Sequence, residues 1–563
     1  MLLISVAMLS LAPPWIIGRI VDGLIDDSLD RRALIRWVSM LVAIAILIYV
    51  LRILWRRILY GASYRLSLNL RQQIYEHLMT LSPASLTDYP TGDIMALATN
   101  DVQAVEMTAG EAVLSIFDGL LTGLLVLAVM VFSISAGLTL IALAPWPLMS
   151  IAMWYLGDHL HRRFDAAQAA FGRLNSIAQE SISGLRALRG IGAERYAEAL
   201  LGRASEQATE TNLGVARVDA KYDPVIYLTI GASFMLSMGG GAWLIAHGDL
   251  SVGQLTSFTL YLGQLVWPMF AFGWMANIVQ RGSAAYGRIN RFLETCSVVP
   301  DTGRLTNVES TSLRVDIAHF AYPGREEALA DIQFEVAEGG TLGIVGPTGA
   351  GKSTLLTLLS RLRDGHSVAI QLGAHPMSQY RLATLRASMA YVMQESVLFS
   401  VSLRENLRLA APDASDSDIE RVLAVVGLDQ EVAGFTQQLD TVIGERGVTL
   451  SGGQRQRLSL ARALIAGAPI LLLDDALSAV DAEKEHHILS VLQQQTASIT
   501  KVIVSHRLSA VADADEILVL NHGRVVARGT HAELIAQAGW YRDTWQYQRL
   551  ESDFKNPSCL YTI

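Results

Sequence analysis

Over the first 280 or so residues, apolar runs alternate with polar stretches of helical period; beyond about residue 310 the runs shorten and end on glycine or carboxylate. The runs near 1–22, 36–57, 113–135, 137–157, 224–246 and 254–276 are each near the length of about twenty residues that a bilayer requires, which predicts six spans. Pro13 and Pro14 should kink or end part of the first, and Gly239, Gly240 and Gly241 should allow close approach in the fifth. Membrane helices tolerate both when neighbours satisfy the freed backbone groups. The polar stretches SLNLRQQIYEHLM and RFDAAQAAFGRLNSIAQESISGLRALRG keep apolar residues three and four apart, so they read as helices continuing the spans beyond the membrane. TGDIMALATNDV, Thr91 to Val102, follows Pro90 and is expected to start a short helix at the tip of the first long loop.

Charge orients the spans. The two long loops carry Arg56, Arg57, Arg65 and Arg71, then Arg162, Arg163, Arg173, Arg186, Arg189, Arg195, Arg203, Arg217 and Lys221. The connection from Asp22 to Arg32 is rich in Asp instead, and excess Arg and Lys marks the cytoplasmic side. The loops and the following soluble region are therefore placed in the cytoplasm. The first span starts almost at Met1, with no basic leading region, and PPWII stands where a small-residue cleavage motif would be sought. It reads as a span and not as a secretory signal.

The chain of 563 residues is 51% hydrophobic and 17% charged, which fits several domains, one of them in a membrane. A net charge of -9 offers no basic surface for nucleic acid. Cys296 and Cys559 are spaced for neither a zinc site nor a disulfide framework.

The chemistry lies in the soluble region. TLGIVGPTGAGKST is a strand-like run followed by Gly346, Pro347, Thr348, Gly349, Ala350, Gly351, Lys352, Ser353 and Thr354 in the spacing GxxxxGK[ST]. Backbone N–H groups of such a loop wrap phosphates, Lys352 reaches the β- and γ-phosphates, and Ser353 can ligate Mg²⁺. The apolar run ILLLD ends at Asp474, a carboxylate at a strand tip that suits the same ion, directly or through water. Asp475 follows it.

With these come LSGGQ at Leu450, Ser451, Gly452, Gly453 and Gln454, then Gln394 in YVMQES, SAVD ending at Asp481, His506 in VSHRLSA, and Tyr322 in FAYPG. In this order and spacing the chain resembles an ATP-binding cassette exporter of the type IV (type I exporter) fold, a half-transporter with its membrane domain ahead of its cassette. The resemblance implies a six-helix transmembrane domain at 1–290, a linker at 291–310, an α/β nucleotide-binding domain at 311–547 and a C-terminal tail at 548–563. It also implies ATP and Mg²⁺ as ligands, with Ser353, Gln394 and Asp474 toward the ion and Tyr322 stacked on adenine. LSGGQ would cap the γ-phosphate of a second subunit, Asp481 would belong to the loop beside it, and His506 would bond the γ-phosphate. GERG at Gly444–Gly447, Thr91–Val102 and the loop from Ala178 resemble the elements that couple the two domains.

One position departs from the family pattern. Where the general base is commonly glutamate, this chain has Asp475, whose carboxylate is withdrawn by roughly 1–1.5 Å, and about 1 Å of misplacement can cost on the order of a hundredfold in rate. The expectation is a site that binds ATP and hydrolyses it slowly, in a heterodimer with a non-identical half-transporter that carries a catalytic glutamate. The substrate is expected to be apolar or amphipathic, a small or lipid-like molecule moved outward across the bacterial inner membrane, with Arg52, Trp267, Phe270 and Trp274 lining or anchoring its path. A homodimeric lipid flippase and a siderophore importer on the same fold are the alternatives.

Overall fold

A computed structural model describes residues 2–324, 326–444, 450–495 and 498–555, less the side chains of 269–273, 482, 494–495 and 552–555. Phe270, Cys559 and positions 445–447 of the GERG stretch therefore lie outside the described set. The chain forms two compact units, Met1–Glu76 with Thr91–Glu294, and His77–Pro90 with Thr295–Ile563.

In the first unit, five helical rods among the described residues are long and apolar enough to cross a membrane: Leu2–Ile25, Arg31–Thr80, Thr91–Ile134, Ala136–Ser183 and Glu194–Ala246. The sixth expected span falls on Val252–Gln264 and Val266–Leu293. Apolar side chains such as Phe132, Leu140, Trp154 and Met235 point outward from the rods, whereas Ser233, Ser237 and Ser257 are buried between them. That inversion of the soluble pattern is what a lipid-facing bundle with small residues at its helix contacts requires.

The interruptions behave as their chemistry demands. The first rod breaks between Leu2–Leu9 and Ala12–Ile25, with Pro13 and Pro14 in the first turn of the second piece, where proline costs no helical bond. Side chains of Val252–Gln264 bond this stretch: Gln264 Nε2 donates at 3.4 Å to Ser10 O, the carbonyl that Pro14 leaves free, Tyr261 Oη to Leu11 O, and Ser257 Oγ to Pro14 O at 2.9 Å. Gly241 meets Leu255 so closely that a Cβ would fall 2.3 Å from its Cδ1.

The two long loops are helical as expected, but the first turns differently. Arg31–Thr80 runs 50 residues, about 75 Å of α-helix. Thr91–Val102 is no short tip helix; it opens the rod Thr91–Ile134, because Pro90 stops the chain before it and nothing after Thr91 breaks it. The turn itself is His77–Pro90, which belongs to the second unit: Ser82 N–H donates to Ser297 Oγ at 3.1 Å, and the Tyr89 and Thr295 hydroxyls are 3.1 Å apart. The second loop does carry a short tip helix, Leu185–Ile191, between Gly184 and the left-handed Gly192.

The second unit carries strands Leu313–Ala321 (β1), Glu327–Val336 (β2), Thr341–Val345 (β3), Ser367–Leu372 (β4), His375–Pro376 (β5), Met389–Val392 (β6), Ile470–Asp474 (β7), Thr500–Val504 (β8), Glu516–Asn521 (β9) and Arg524–Gly529 (β10). One sheet is antiparallel, in the order β2-β1-β4-β5. The other runs β10-β9-β3-β8-β7-β6, parallel from β9 to β6. Every residue of β7 and β8 is buried, which explains why ILLLD and TKVIV show no alternation.

A tight backbone contact in the first unit is at Gly253, whose absent Cβ would lie 2.0 Å from Gly18 O, beside an Asp22 carboxylate that accepts from Gly253 N–H and Ser251 Oγ at 2.7 Å each. Gly253→Val should lose on the order of 2 kcal/mol or more through overpacking. Thermal unfolding of the detergent-purified protein checks this, and an unchanged midpoint would contradict it.

Candidate active site

The order β3-β8-β7-β6 sets four loops side by side at the carboxyl ends of parallel strands, where α/β sheets bind ligands. The loop after β3 is tight. Gly346 has φ 150° and a Cβ there would meet Leu520 O at 2.0 Å; Gly351 has φ 94° and caps the helix Lys352–Leu359. Glycine is the residue for both positions. Lys352 Nζ folds back to donate to Gly346 O at 2.9 Å and Pro347 O at 3.0 Å. Burial lowers the Lys352 amine below its ordinary pKa, opposed by the charges of Asp475 and Asp474.

Across from it, Asp474 Oδ1 accepts from Ser353 Oγ at 3.1 Å and Oδ2 from Tyr391 Oη at 3.3 Å. Burial raises the Asp474 carboxyl, the two hydroxyl donors lower it, and Asp475 raises it further. Asp475 takes a left-handed backbone, φ 49°, which aspartate tolerates better than most residues. Its N–H donates to Val504 O at 2.8 Å, and its Oδ1 accepts from the His506 N–H at 3.3 Å. Gln394 is exposed two residues beyond β6.

A cavity of about 950 Å³, within the size range of small-molecule sites, is lined by Tyr322, Thr348 to Thr354, Gln394, Asp474, Asp475 and His506. Tyr322 is held by its hydroxyl, 3.1 Å from Thr354 Oγ1, with the Arg363 guanidinium 4.8 Å from its ring centroid. Gly346 and Pro347 do not line the cavity; they hold the lysine. Sequence reasoning missed Tyr391, Arg363, Glu326, Glu327 and His522, the last three also on the wall. Only the place of Tyr391, three residues before Gln394, hinted at a role.

Among the described residues no group of three or more His, Cys, Asp or Glu is placed to hold a metal. A hydroxyl and a carboxylate oxygen 3.1 Å apart, with the Gln394 amide on the same wall, are nevertheless the hard donors that suit Mg²⁺ beside a phosphate.

Leu450 to Gln454 and Asp481 are absent from that wall. Ser451 instead caps the helix Gly452–Ile465, with Gln454 closing the reciprocal bond to the Ser451 N–H at 2.8 Å. Glu431 receives Gln454 Nε2 at 2.8 Å, Arg457 Nη2 at 2.8 Å and Lys484 Nζ at 2.9 Å. Lys484 N–H in turn donates to Asp481 at 2.9 Å. The signature and SAVD loops are thus built as one surface, apart from the phosphate loop of the same chain.

Residues 1–269 match the model for the ABC transporter transmembrane region, and 329–478 the ABC transporter model. The chain is 44% identical, over 98% of its length and 94% of the relative, to the multidrug resistance-like ATP-binding protein MdlA of Escherichia coli (strain K12). The chain is an ATP-binding cassette exporter half-transporter. It is 34% identical, over 84% of its length and 79% of the relative, to the ATP-dependent lipid A-core flippase of Pseudomonas fluorescens (strain Pf0-1). A bacterial Atm1-family ABC exporter with ATP bound superposes with a TM-score of 0.78 at 25% identity, covering 97% of this chain and 96% of that one. The protein is accordingly a multi-pass membrane exporter that binds and hydrolyses ATP, and half-transporters of this family work as pairs.

Burial would raise the Glu431 carboxyl, but the donors Gln454, Arg457 and Lys484 pull it from an ordinary 4.5 to about 2. A carboxyl so lowered stabilises the fold fully above about pH 4.5 and loses that contribution as pH falls toward 2. Glu431→Gln should therefore lower the melting temperature at pH 7, for a loss on the order of 1–2 kcal/mol. The gap from wild type should narrow between pH 5 and 3; a gap independent of pH would contradict the assignment.

Proposed function

We propose that this chain is the slow-site subunit of a heterodimeric exporter of an apolar or amphipathic substrate in the bacterial inner membrane. The observation that carries this reading is Asp475. It stands in the base position, one methylene short of glutamate, and its carboxylate already accepts the His506 N–H. A short carboxylate held this way is poorly placed for the attacking water, since a general base needs contact within about 2.6–3.2 Å or through one water.

In this reading Tyr322 stacks on adenine, the amides of Thr348 to Thr354 and the Lys352 ammonium bind the phosphates, and His506 bonds the γ-phosphate. Ser353, Gln394 and Asp474 hold Mg²⁺, which when bound neutralises phosphate charge. The signature surface, Leu450 to Gln454 with Asp481, completes the site on the partner, whose catalytic glutamate does most of the hydrolysis. Binding of ATP draws two cassettes together and favours an outward-open cavity; hydrolysis on the partner resets it. The name of the 44% identical relative, multidrug resistance-like, supports a broad amphipathic substrate class. The flippase relative supports a lipid-like substrate as the second reading, with a homodimer in place of the heterodimer.

The test is steady-state ATPase turnover of the purified full-length chain alone. Turnover should be slow, and Asp475→Glu should raise it by at least tenfold. Rapid turnover by the wild-type chain alone would make Asp475 a competent base and return the protein to the homodimeric reading.

A further inference from the structure

The side chain of Gln548, on the C-terminal helix Trp540–Lys555, bonds to the loop that carries His506. Gln548 Nε2 donates to His506 O at 2.8 Å, and its Oε1 accepts from Leu508 N–H at 2.9 Å. A carboxamide sets an NH2 donor group and a carbonyl acceptor in one plane, and this orientation satisfies both backbone groups. The helix that carries it is anchored on the same side. Tyr541, 3% exposed, has its hydroxyl 2.7 Å from His531 Nδ1, and the Trp545 ring lies 4.4 Å from the His531 ring. Tyr541, Trp545 and Gln548 are spaced by four and three, one face of a helix.

The bonded groups are those of the loop that bears the site. The His506 N–H is held by Asp475, its C=O by Gln548, and Leu508 by the other end of the same amide. Arg507 ties the opposite flank to the SAVD loop, through Val480 O at 2.9 Å, Ser478 O at 3.0 Å and the Glu485 carboxylate. The backbone between Ser505 and Leu508 is thus held by Asp475, by Ile344 O of β3, which accepts from Ser505 N–H at 3.3 Å, and by Gln548 from the C-terminal helix. Its residue number falls in the stretch that the sequence marks as tail.

We propose that Gln548 is a positioning residue for ATP hydrolysis: it fixes the backbone that carries the His506 side chain, so that the C-terminal helix is a working part of the nucleotide site. Gln548 touches no reactant. The inference rests on the role given to His506 above, and the experiment separates the two.

The full-length chain is purified alone in detergent, where two copies would bring these residues to both composite sites. MgATP turnover is measured as a function of ATP concentration for wild type, Gln548→Ala, Gln548→Glu, His506→Ala and the Gln548→Ala/His506→Ala double variant. Gln548→Ala should lower kcat about tenfold while KM stays within twofold, since small misplacement acts on the chemical step. Gln548→Glu, equal in size, should do the same because it sets an oxygen against His506 O; it carries the comparison if the alanine variant does not fold. The double variant should be no slower than His506→Ala.

A Gln548→Ala or Gln548→Glu protein with wild-type kcat would overturn the inference. So would losses that multiply in the double variant, because Gln548 would then act on the cassette at large. Wild-type turnover in His506→Ala would sink the role assigned to His506, and a slow Gln548→Ala beside it would show that Gln548 acts elsewhere.

Discussion

Ser353 Oγ and Asp474 Oδ1, 3.1 Å apart, join the phosphate loop after β3 to the tip of β7. These two strands are not neighbours; β8 runs between them. The contact therefore fixes the spacing of three strand tips at once, and the residue that leaves β8, carrying the loop to His506, has to fit in the gap. The buried lysine on one side and the paired carboxylates on the other create an electrostatic demand that a metal–nucleotide complex meets: the burial of Asp474 disfavours its charge, and the burial of Lys352 disfavours its own. A site with this tension is built for a ligand that brings both signs.

The same geometry explains the division of labour within one cassette. The phosphate loop, Asp474 and His506 share a cavity, whereas the signature helix and Asp481 are organised around Glu431 and do not line it. A chain with the two halves apart needs a second subunit to complete either site. In the proposed heterodimer, Asp475 decides which of the two sites does the work. Its left-handed backbone is held by Val504 O, so the main chain cannot advance to make up for the missing methylene without breaking that bond.

Much of this was legible in the residues. A glycine loop, a carboxylate ending an apolar run and a histidine after TKVIVS carry their chemistry in their spacing, and the proline and glycine breaks in the spans behaved as membrane helices require. Strand order was not legible: nothing in TLGIV, TKVIV or ILLLD says that β8 separates β3 from β7, because fully buried strands lack a periodic signature. Tyr391 and Arg363 escaped for the same reason, being brought in by tertiary neighbours. The turn of the first long loop was misplaced because TGDIMALATNDV looks like a helix start, which it is, while the tip lies just ahead of it in His77–Pro90. The π-helical turns at Leu97–Asp101, Thr108–Ala112, Ile116–Leu121 and Met130–Ile134 left no mark in composition either, since their register depends on contacts such as Thr108 Oγ1 donating to Ile278 O at 3.1 Å. Gln548 looked like tail because its partners are backbone atoms, which no side-chain pattern reveals.

In the proposed heterodimer, ATP bound by this chain's own phosphate loop outlasts ATP bound by the partner's. The most direct measurement is photolabelling of the assembled transporter during turnover with azido-ATP carrying radiolabel on either the α- or the γ-phosphate, followed by separation of the two chains. Both labels should stay on this chain, and only the α-label on the partner. Loss of the γ-label from this chain as fast as from the partner would contradict the claim, because the Asp475 site would then be hydrolysing at full rate.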